Sequence, residues 1–236
     1  MNLRPALAAC LSLCAGACSR PDPFENPDYA AACHGLPLNA EERQKAREDG
    51  YMIVARFDCI DKNLAAWLTS QPVWFVATAP LAGDGRINVS PRGHDCLSIL
   101  GPLQVAWVDY TGSGIETIAH LRENGRICLM FCSFGNRPRI VRLHGTGRVA
   151  LPGDPVYGKV TAEHPDHPST RAVIVVDITR VSDSCGYGVP VMDLVGERDL
   201  LRLHAEHKGP DGMAEYRATV NAASIDGLPG LPAAGF

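Results

Sequence analysis

Hydrophobic and polar residues alternate in short runs through the middle of the chain. Six runs rich in β-branched and aromatic residues begin at Val73: VWFVATA, RINVS, QVAWVDY, RICLMFC, PRIVRLHGTGRVA and AVIVVDITRVSDS. Strands of this length, separated by turn residues, are typical of a barrel or sandwich. The Gly83-Asp84-Gly85 turn between the first two runs predicts a hairpin of antiparallel strands.

Helical periodicity flanks and interrupts this β-rich region. IDKNLAAWLTSQ predicts a short amphipathic helix before the strands, and SGIETIAHLREN predicts a helix between the third and fourth runs. Ser113 and Glu116 have the spacing of a capping box, and Gly125 follows as a C-terminal cap. RDLLRLHAEHKG and DGMAEYRATVNAAS predict two helices after the loop SCGYGVP. The pattern predicts a mainly β fold with peripheral helices, of the α+β class.

The first fifty-one residues differ from the rest of the chain. MNLR followed by PALAACLSLCAGAC has the charged start and short apolar centre of a signal peptide, and Cys18 resembles a weak lipoprotein site. We favour the alternative that the start is misassigned and Met52 opens the domain. The predicted organisation is an N-terminal extension at 1–51, a split-barrel domain at 52–184, and a C-terminal loop and helices at 185–236, packed on the barrel.

Composition and charge narrow the class of protein. The 236 residues are 46% hydrophobic and 20% charged, the usual balance of a soluble globular chain. A net charge of -4 without a basic stripe argues against nucleic-acid binding. The apolar start is too short to span a bilayer as a helix. Nine scattered cysteines favour a reducing, cytoplasmic compartment, whereas a true signal at residues 1–18 would make the protein exported or lipid-anchored.

Motifs of several common enzyme classes are missing from the sequence. It contains neither a G-x-S-x-G elbow, nor G-x-G-x-x-G, nor a P-loop. His204 and His207 are three apart on a predicted helix, but no clear third ligand accompanies them, and we predict no metal site. Hydrolase and classical dinucleotide-binding functions are therefore not favoured.

The segment VDYTGSGIET carries the strongest chemical signal. It leads a strand through a Gly-containing turn into a helix start, where free N–H groups favour an anion such as phosphate. Thr111, Ser113 and Thr117 add hydroxyl donors, and Arg92 in NVSPRGHD supplies a charged fork at the end of a neighbouring strand. The two arginines of PRIVRLHG point to opposite strand faces, and we take Arg142 as the candidate. An ordinary capped helix and a solvated loop arginine remain the alternatives.

Four segments together resemble a known family: WFVATAPL, INVSPRGHD, VAWVDYTGSGIETIAHLRENGRICLMF and PRIVRLHGTGRV. They are similar to the FMN-binding split-barrel proteins related to pyridoxamine 5'-phosphate oxidase, over about Phe57 to Leu231. The resemblance implies a six-stranded antiparallel split β-barrel and a homodimer that binds FMN between its subunits. It places Arg92 at the family's strand-end lysine and Thr111 at its Tyr-Thr-Asn threonine. Asn88, Val89 and Ser90 would run beside the isoalloxazine ring, largely through backbone groups.

Departures from the oxidase pattern change the expected chemistry. The oxidase's Ser-Arg-Lys is replaced by Ile115, Glu116 and Thr117, which removes two positive charges, and we expect Glu116 to be engaged in the capping box. The expected function is an FMN-dependent oxidoreductase with an unidentified small-molecule substrate or electron donor, rather than pyridoxamine phosphate oxidation. The alternative is a non-catalytic carrier or sensor that binds flavin or haem, and deazaflavin is a further possible cofactor.

Overall fold

The computed structural model describes residues 56–57 and 59–231. The predictions for residues 1–51, including the signal-like start, lie outside the described residues. The strands are β1 (Arg56–Phe57), β2 (Trp74–Thr78), β3 (Asn88–Arg92), β4 (Leu97–Gly101), β5 (Gln104–Tyr110), β6 (Arg126–Cys132), β7 (Ile140–Ala150) and β8 (Thr170–Ser184). The helices are α1 (Lys62–Thr69), α2 (Glu116–Glu123), α3 (Pro155–Ala162) and α4 (Leu200–Thr219).

The strands form one antiparallel sheet in the order β3-β2-β6-β7-β8-β5-β4, and β1 also pairs with β8. The mainly β, antiparallel prediction is confirmed, as is the hairpin between β2 and β3. The predicted count of six strands is not confirmed, because Leu97–Gly101 forms a further strand along β5 and seven strands lie on the path. The path stays open, with β3 and β4 at its ends. The LSILG run was missed because it is short and does not alternate.

Alternation along the strands gives the sheet an inner and an outer face. Trp74 and Phe131 are directly opposite on β2 and β6, and their rings stack on the inner face at 5.4 Å. Trp107 of β5 meets Trp74 edge-on at 5.2 Å. All three rings are buried, which excludes water from the centre of the fold. Residues one position along each strand point instead to the outer face.

The capping box predicted at the start of α2 is wrong. The residue before the helix is Ile115, and no side chain caps the first turn. The C-terminal end agrees with the prediction: Gly125 has a φ of 71°, and its N–H donates to the Leu121 carbonyl at 3.1 Å. The three-residue spacing of Ser113 and Glu116 was therefore insufficient to identify a capping box. The Glu116 carboxylate instead accepts from the Ile225 N–H.

The two predicted C-terminal helices are the two arms of α4. Gly209 breaks the helical geometry with a φ of 66° and ψ of 176°, and Pro210 follows it. Before α4, residues 190–199 are all exposed in the single chain. Within the described residues, no helix combines the length and the apolar character needed to cross a membrane.

The cysteines differ in state. Cys59 is disulfide-bonded, whereas Cys96, Cys128 and Cys132 are free thiols. A disulfide is more typical of an oxidising compartment. The cysteine pattern is therefore weaker support for a reducing compartment than the sequence alone indicates.

Candidate functional site

A cavity of about 170 Å³ lies where the end of β3 meets the turn between β5 and α2. β3 and this turn are the two segments that the sequence predicted to hold an anion, although they are some twenty residues apart. Hydroxyl groups, guanidinium groups and two glycines share its wall, which is a donor set suited to a phosphate. The lining residues are Ser90, Arg92, Tyr110, Gly112, Ser113, Gly114, Glu116, Thr117 and Arg171.

Four of the eight predicted site residues line this cavity: Ser90, Arg92, Ser113 and Thr117. Asn88 lies beside them, with its side-chain amide bonded to Ser90 and Thr117. The structure therefore brings the strand-end and helix-start predictions together at one place.

The other three predicted residues lie elsewhere. Thr111 is buried, and its hydroxyl accepts a hydrogen bond from Arg217 Nε at 2.9 Å. Val89 is 62% exposed on the outer face of β3. Arg142 lies on the outer face of β7, where its Nη1 donates to Ser184 Oγ at 3.1 Å. Within one chain, these three residues do not line the cavity.

Sequence reasoning missed a buried charged pair that supports the site. Asp109 on β5 is fully buried, and its Oδ2 accepts from Arg171 Nε at 2.7 Å. Burial alone would raise the pKa of Asp109, but Arg171 and Arg92 more than offset it and hold that pKa below its usual value. The sequence did contain a signal for this pair, since Asp109 and Arg171 are charged residues within otherwise apolar strands. Buried charges require partners of opposite sign, so the two could have been expected to meet.

Arg171 also ties the backbone of the turn between β5 and α2 to the sheet. Its Nη1 donates to the Gly114 carbonyl at 3.1 Å and to Asn221 Oδ1 at 2.9 Å. Asn221 Nδ2 donates in turn to the Gly112 carbonyl at 3.1 Å. We call residues Gly112–Gly114 the GSG turn. Its shape is fixed by side chains far along the sequence, so it is organised before any ligand arrives.

Arg92 is held at the cavity by the same aspartate. Its Nη2 lies 3.2 Å from Asp109 Oδ1, and its side chain is 19% exposed. Arg92 Nε is buried and has no hydrogen-bond partner within the described residues. A buried donor in this state is one that a bound anion would satisfy. The residues present therefore fit a phosphate group.

Glu116 places a carboxylate on the cavity wall, and this charge opposes an anion. Its Oε1 accepts from the Ile225 N–H at 3.2 Å, and Oε2 lies over Gly114, 2.2 Å from where a Cβ would stand. A side chain at position 114 would therefore displace the flexible Glu116 carboxylate. With Asp109 behind the wall, two carboxylates balance the guanidinium groups of Arg92 and Arg171, so the cavity carries no net positive charge.

A second, larger cavity of about 410 Å³ shares Arg92 with the first. His94 lies on its wall and has a φ of 64°, a conformation that is uncommon outside glycine. His94 Nδ1 is 3.5 Å from Glu197 Oε2, across the cavity wall. Arg92 therefore lies between a small polar cavity and a larger neighbouring one. Among the described residues, no cluster of three His, Cys, Asp or Glu side chains is arranged to hold a metal.

Comparison with known proteins places this site in a family context. The domain model described as pyridoxamine 5'-phosphate oxidase matches residues 60–185. A pyridoxamine 5'-phosphate oxidase family protein of Aspergillus flavus, ustO, is 43% identical over 195 residues, covering 75% of this chain and 78% of the relative.

Solved structures with a similar arrangement are more distant. An FMN-binding protein of Syntrophomonas wolfei is 13% identical, with a TM-score of 0.39, and covers 61% of this chain and 95% of its own. A putative pyridoxamine 5'-phosphate oxidase of Listeria innocua is 13% identical, with a TM-score of 0.36, and covers 50% and 93% respectively. The family assignment rests on the domain model and the fungal relative.

Proposed function

Because the chain belongs to the pyridoxamine 5'-phosphate oxidase family, we propose that it binds FMN and acts as an FMN-dependent oxidoreductase. The observation that carries the proposal is the cavity in which Arg92 of β3 faces the GSG turn and the start of α2. A phosphate there would accept from the Arg92 guanidinium and from hydroxyls of Ser113 and Thr117. Bound FMN would supply the redox chemistry, while the chain binds and orients it.

The edge position of β3 supports a flavin ring running along this strand. β3 pairs only with β2 among the described strands. Pro91 lies opposite Phe75 on β2 and has no N–H to donate, so we take this pair as a non-hydrogen-bonded pair of the ladder. The backbone groups of Pro91 then point away from β2. Because the pattern repeats every two residues, the N–H and C=O of Val89 also point toward the free edge of the sheet. These backbone groups are available to the polar edge of a planar ring. The substrate and the electron donor would approach the same site.

Titration of the purified protein with cofactors tests this function. We expect FMN to bind with one equivalent per chain, with quenched flavin fluorescence and a shifted flavin absorption spectrum. Riboflavin, which lacks the phosphate, should bind more weakly. A protein that binds haem with a Soret band but not FMN would support the carrier or sensor alternative. Failure to bind FMN would overturn the proposal, and FMN bound without any NADPH- or NADH-dependent turnover would overturn its enzymatic part.

Glu116→Gln is expected to tighten FMN binding by roughly 5- to 20-fold. A carboxylate on the wall of so small a cavity repels a phosphate by about 1–2 kcal/mol at an effective dielectric constant of about 20. Glutamine keeps the length and can still accept from the Ile225 N–H. Fluorescence titration with FMN measures the change, and riboflavin affinity should be unaffected.

Glu123→Gln is the matched control for this substitution. Glu123 is at the opposite end of α2, where its Oε2 accepts from the Leu81 N–H at 2.8 Å. We expect FMN affinity to remain within about twofold in this variant, because an exposed charge is screened by water and salt. Equal effects of the two substitutions would show that Glu116 does not face the phosphate.

We also propose that the protein is a homodimer assembled through the outer face of the β3–β2–β6 part of the sheet. Phe75 faces Pro91 and Met130 there, and Ala77 faces Val89 in the next row. Pro91 and Val89 are exposed, which gives a continuous apolar surface at the sheet's edge. Such a surface is typical of a protein interface. Arg142, opposite Met130, would then approach the partner's cofactor.

Val89→Glu is expected to weaken the dimer by at least about 100-fold, because it would bury an unpaired charge. Val89 is 62% exposed in the single chain, so the fold should tolerate the change. Leu203→Glu is the control, since Leu203 is similarly exposed at 55% but lies on α4. Light scattering after size exclusion should find monomers only for Val89→Glu. A monomeric wild type would contradict the proposal.

A further inference from the structure

His120 is a fully buried histidine on α2 that neither the sequence nor the comparisons assign to the site. Its Nδ1 lies 2.9 Å from Thr78 Oγ1, and its Nε2 has no partner within the described residues. Burial lowers the pKa of His120, although the nearby carboxylates of Glu116, Glu123 and Asp226 act in the opposite direction. The imidazole is therefore neutral at physiological pH and carries one proton.

A chain of hydrogen bonds leads from His120 to the cavity. Asn88 Nδ2 donates to Thr78 Oγ1 and to Thr117 Oγ1, both at 3.1 Å. Ser90 Oγ donates to Asn88 Oδ1 at 2.9 Å. Thr78 Oγ1 accepts from Asn88, and it can donate its own proton to His120 Nδ1 when the imidazole proton is on Nε2. All the polar atoms of the Asn88 side chain are engaged within the protein.

The direction of these bonds sets the polarity of two hydroxyls on the cavity wall. Thr117 accepts from Asn88, so its own proton is free to be donated into the cavity. Ser90 has already donated its proton to Asn88, so it presents only lone pairs. Reversal of the Asn88 amide would exchange these roles, and it would accompany a move of the imidazole proton from Nε2 to Nδ1, where it would be donated to Thr78. The Asn88 amide is fully engaged within the protein and does not contact a ligand. Its orientation instead sets whether Ser90 and Thr117 donate or accept a hydrogen bond at the cavity.

We propose that His120 is a positioning residue that, through Thr78 and Asn88, makes Thr117 a donor and Ser90 an acceptor at the cavity. This inference rests on the proposed FMN function and deepens it. A donor matches a phosphate oxygen, and an adjacent acceptor matches a hydroxyl of the attached chain. The ligand class selected is a phosphate monoester of a polyol, in which phosphate and hydroxyl lie close together.

Two substitutions of His120 test the relay. His120→Leu removes the acceptor for Thr78, whereas His120→Asn places an amide oxygen near the position of Nδ1. We expect His120→Leu to weaken FMN binding about tenfold, the factor that corresponds to one lost hydrogen bond to a charged group. Riboflavin, which keeps the chain hydroxyls but lacks the phosphate, should lose less affinity than FMN. His120→Asn should restore FMN affinity to within about threefold of wild type. Thermal unfolding monitored by circular dichroism confirms that each variant is folded.

The ratio of FMN to riboflavin affinity separates a positioning role from a merely structural one. Equal losses for both ligands in His120→Leu, or no recovery in His120→Asn, would overturn the inference while leaving FMN binding intact. A wild type that binds no FMN would overturn the proposed function and the inference with it. Nitrogen-15 NMR of the ligand-free wild type gives an independent readout. The His120 proton is expected on Nε2, and a proton on Nδ1 would overturn the relay.

Discussion

Arg92→Ala is expected to weaken FMN binding by roughly 100- to 1000-fold and to change riboflavin affinity by less than about threefold. Hydrogen bonds to charged groups contribute about 1.5–3 kcal/mol each, and a guanidinium can offer two of them to one phosphate. Arg92 Nε is buried without a partner, so a bound phosphate gains this donor without breaking an existing bond. Fluorescence titration with both ligands measures the two affinities.

Two further variants test whether the loss of FMN affinity is caused by removal of the Arg92 guanidinium. Arg92→Lys keeps the charge but loses the planar pair of donors, and we expect an intermediate loss of about tenfold. Arg86→Ala is the matched control, since Arg86 precedes β3, is exposed and pairs with Asp226. FMN affinity should stay within about twofold in this control. Full FMN affinity in Arg92→Ala would mean that the phosphate binds elsewhere.

The part of the site that the sequence predicted is the part encoded locally. A turn followed by a helix start is visible within ten residues, as is an arginine at a strand end. These local signals predicted Ser113, Thr117 and Arg92, which the structure places on one cavity wall. The six β-rich runs were found for the same reason, because period-two alternation reports which face is buried.

The parts that were missed depend on contacts between distant segments. Arg171 and Asp109 are 62 residues apart, and their pairing follows from the antiparallel register of β5 and β8. Glu116 accepts from the N–H of Ile225, 109 residues away, which no capping-box spacing could reveal. The Glu116 carboxylate therefore bonds to this distant N–H and not to the start of its own helix. Within one chain Arg142 lies away from the cavity, bonded to Ser184, and the sequence did not show this because a strand's absolute facing cannot be read from spacing alone.

Arg171→Met is expected to lower the free energy of unfolding by about 3–5 kcal/mol at neutral pH. Removing one partner of a buried ion pair leaves the other charge poorly compensated. Asp109 would lose its 2.7 Å partner and keep the longer, 3.2 Å contact with Arg92. The Gly114 carbonyl and Asn221 would also lose a donor. Urea unfolding followed by circular dichroism measures the change. Arg148→Met is the control: the more exposed Arg148–Asp154 pair should contribute less than about 1 kcal/mol.

The same loss should depend on pH in a direction set by Asp109. Its pKa in the folded protein lies below its ordinary value, so the ionised pair stabilises the wild type above about pH 4. This contribution is lost as the pH falls through the folded-state pKa, because protonation of Asp109 removes the charge that Arg171 neutralises. The difference between wild type and Arg171→Met should therefore shrink in acid. A difference that stayed constant from pH 7 to the acid unfolding limit would show that Arg171 stabilises the fold through the GSG turn rather than through the buried carboxylate.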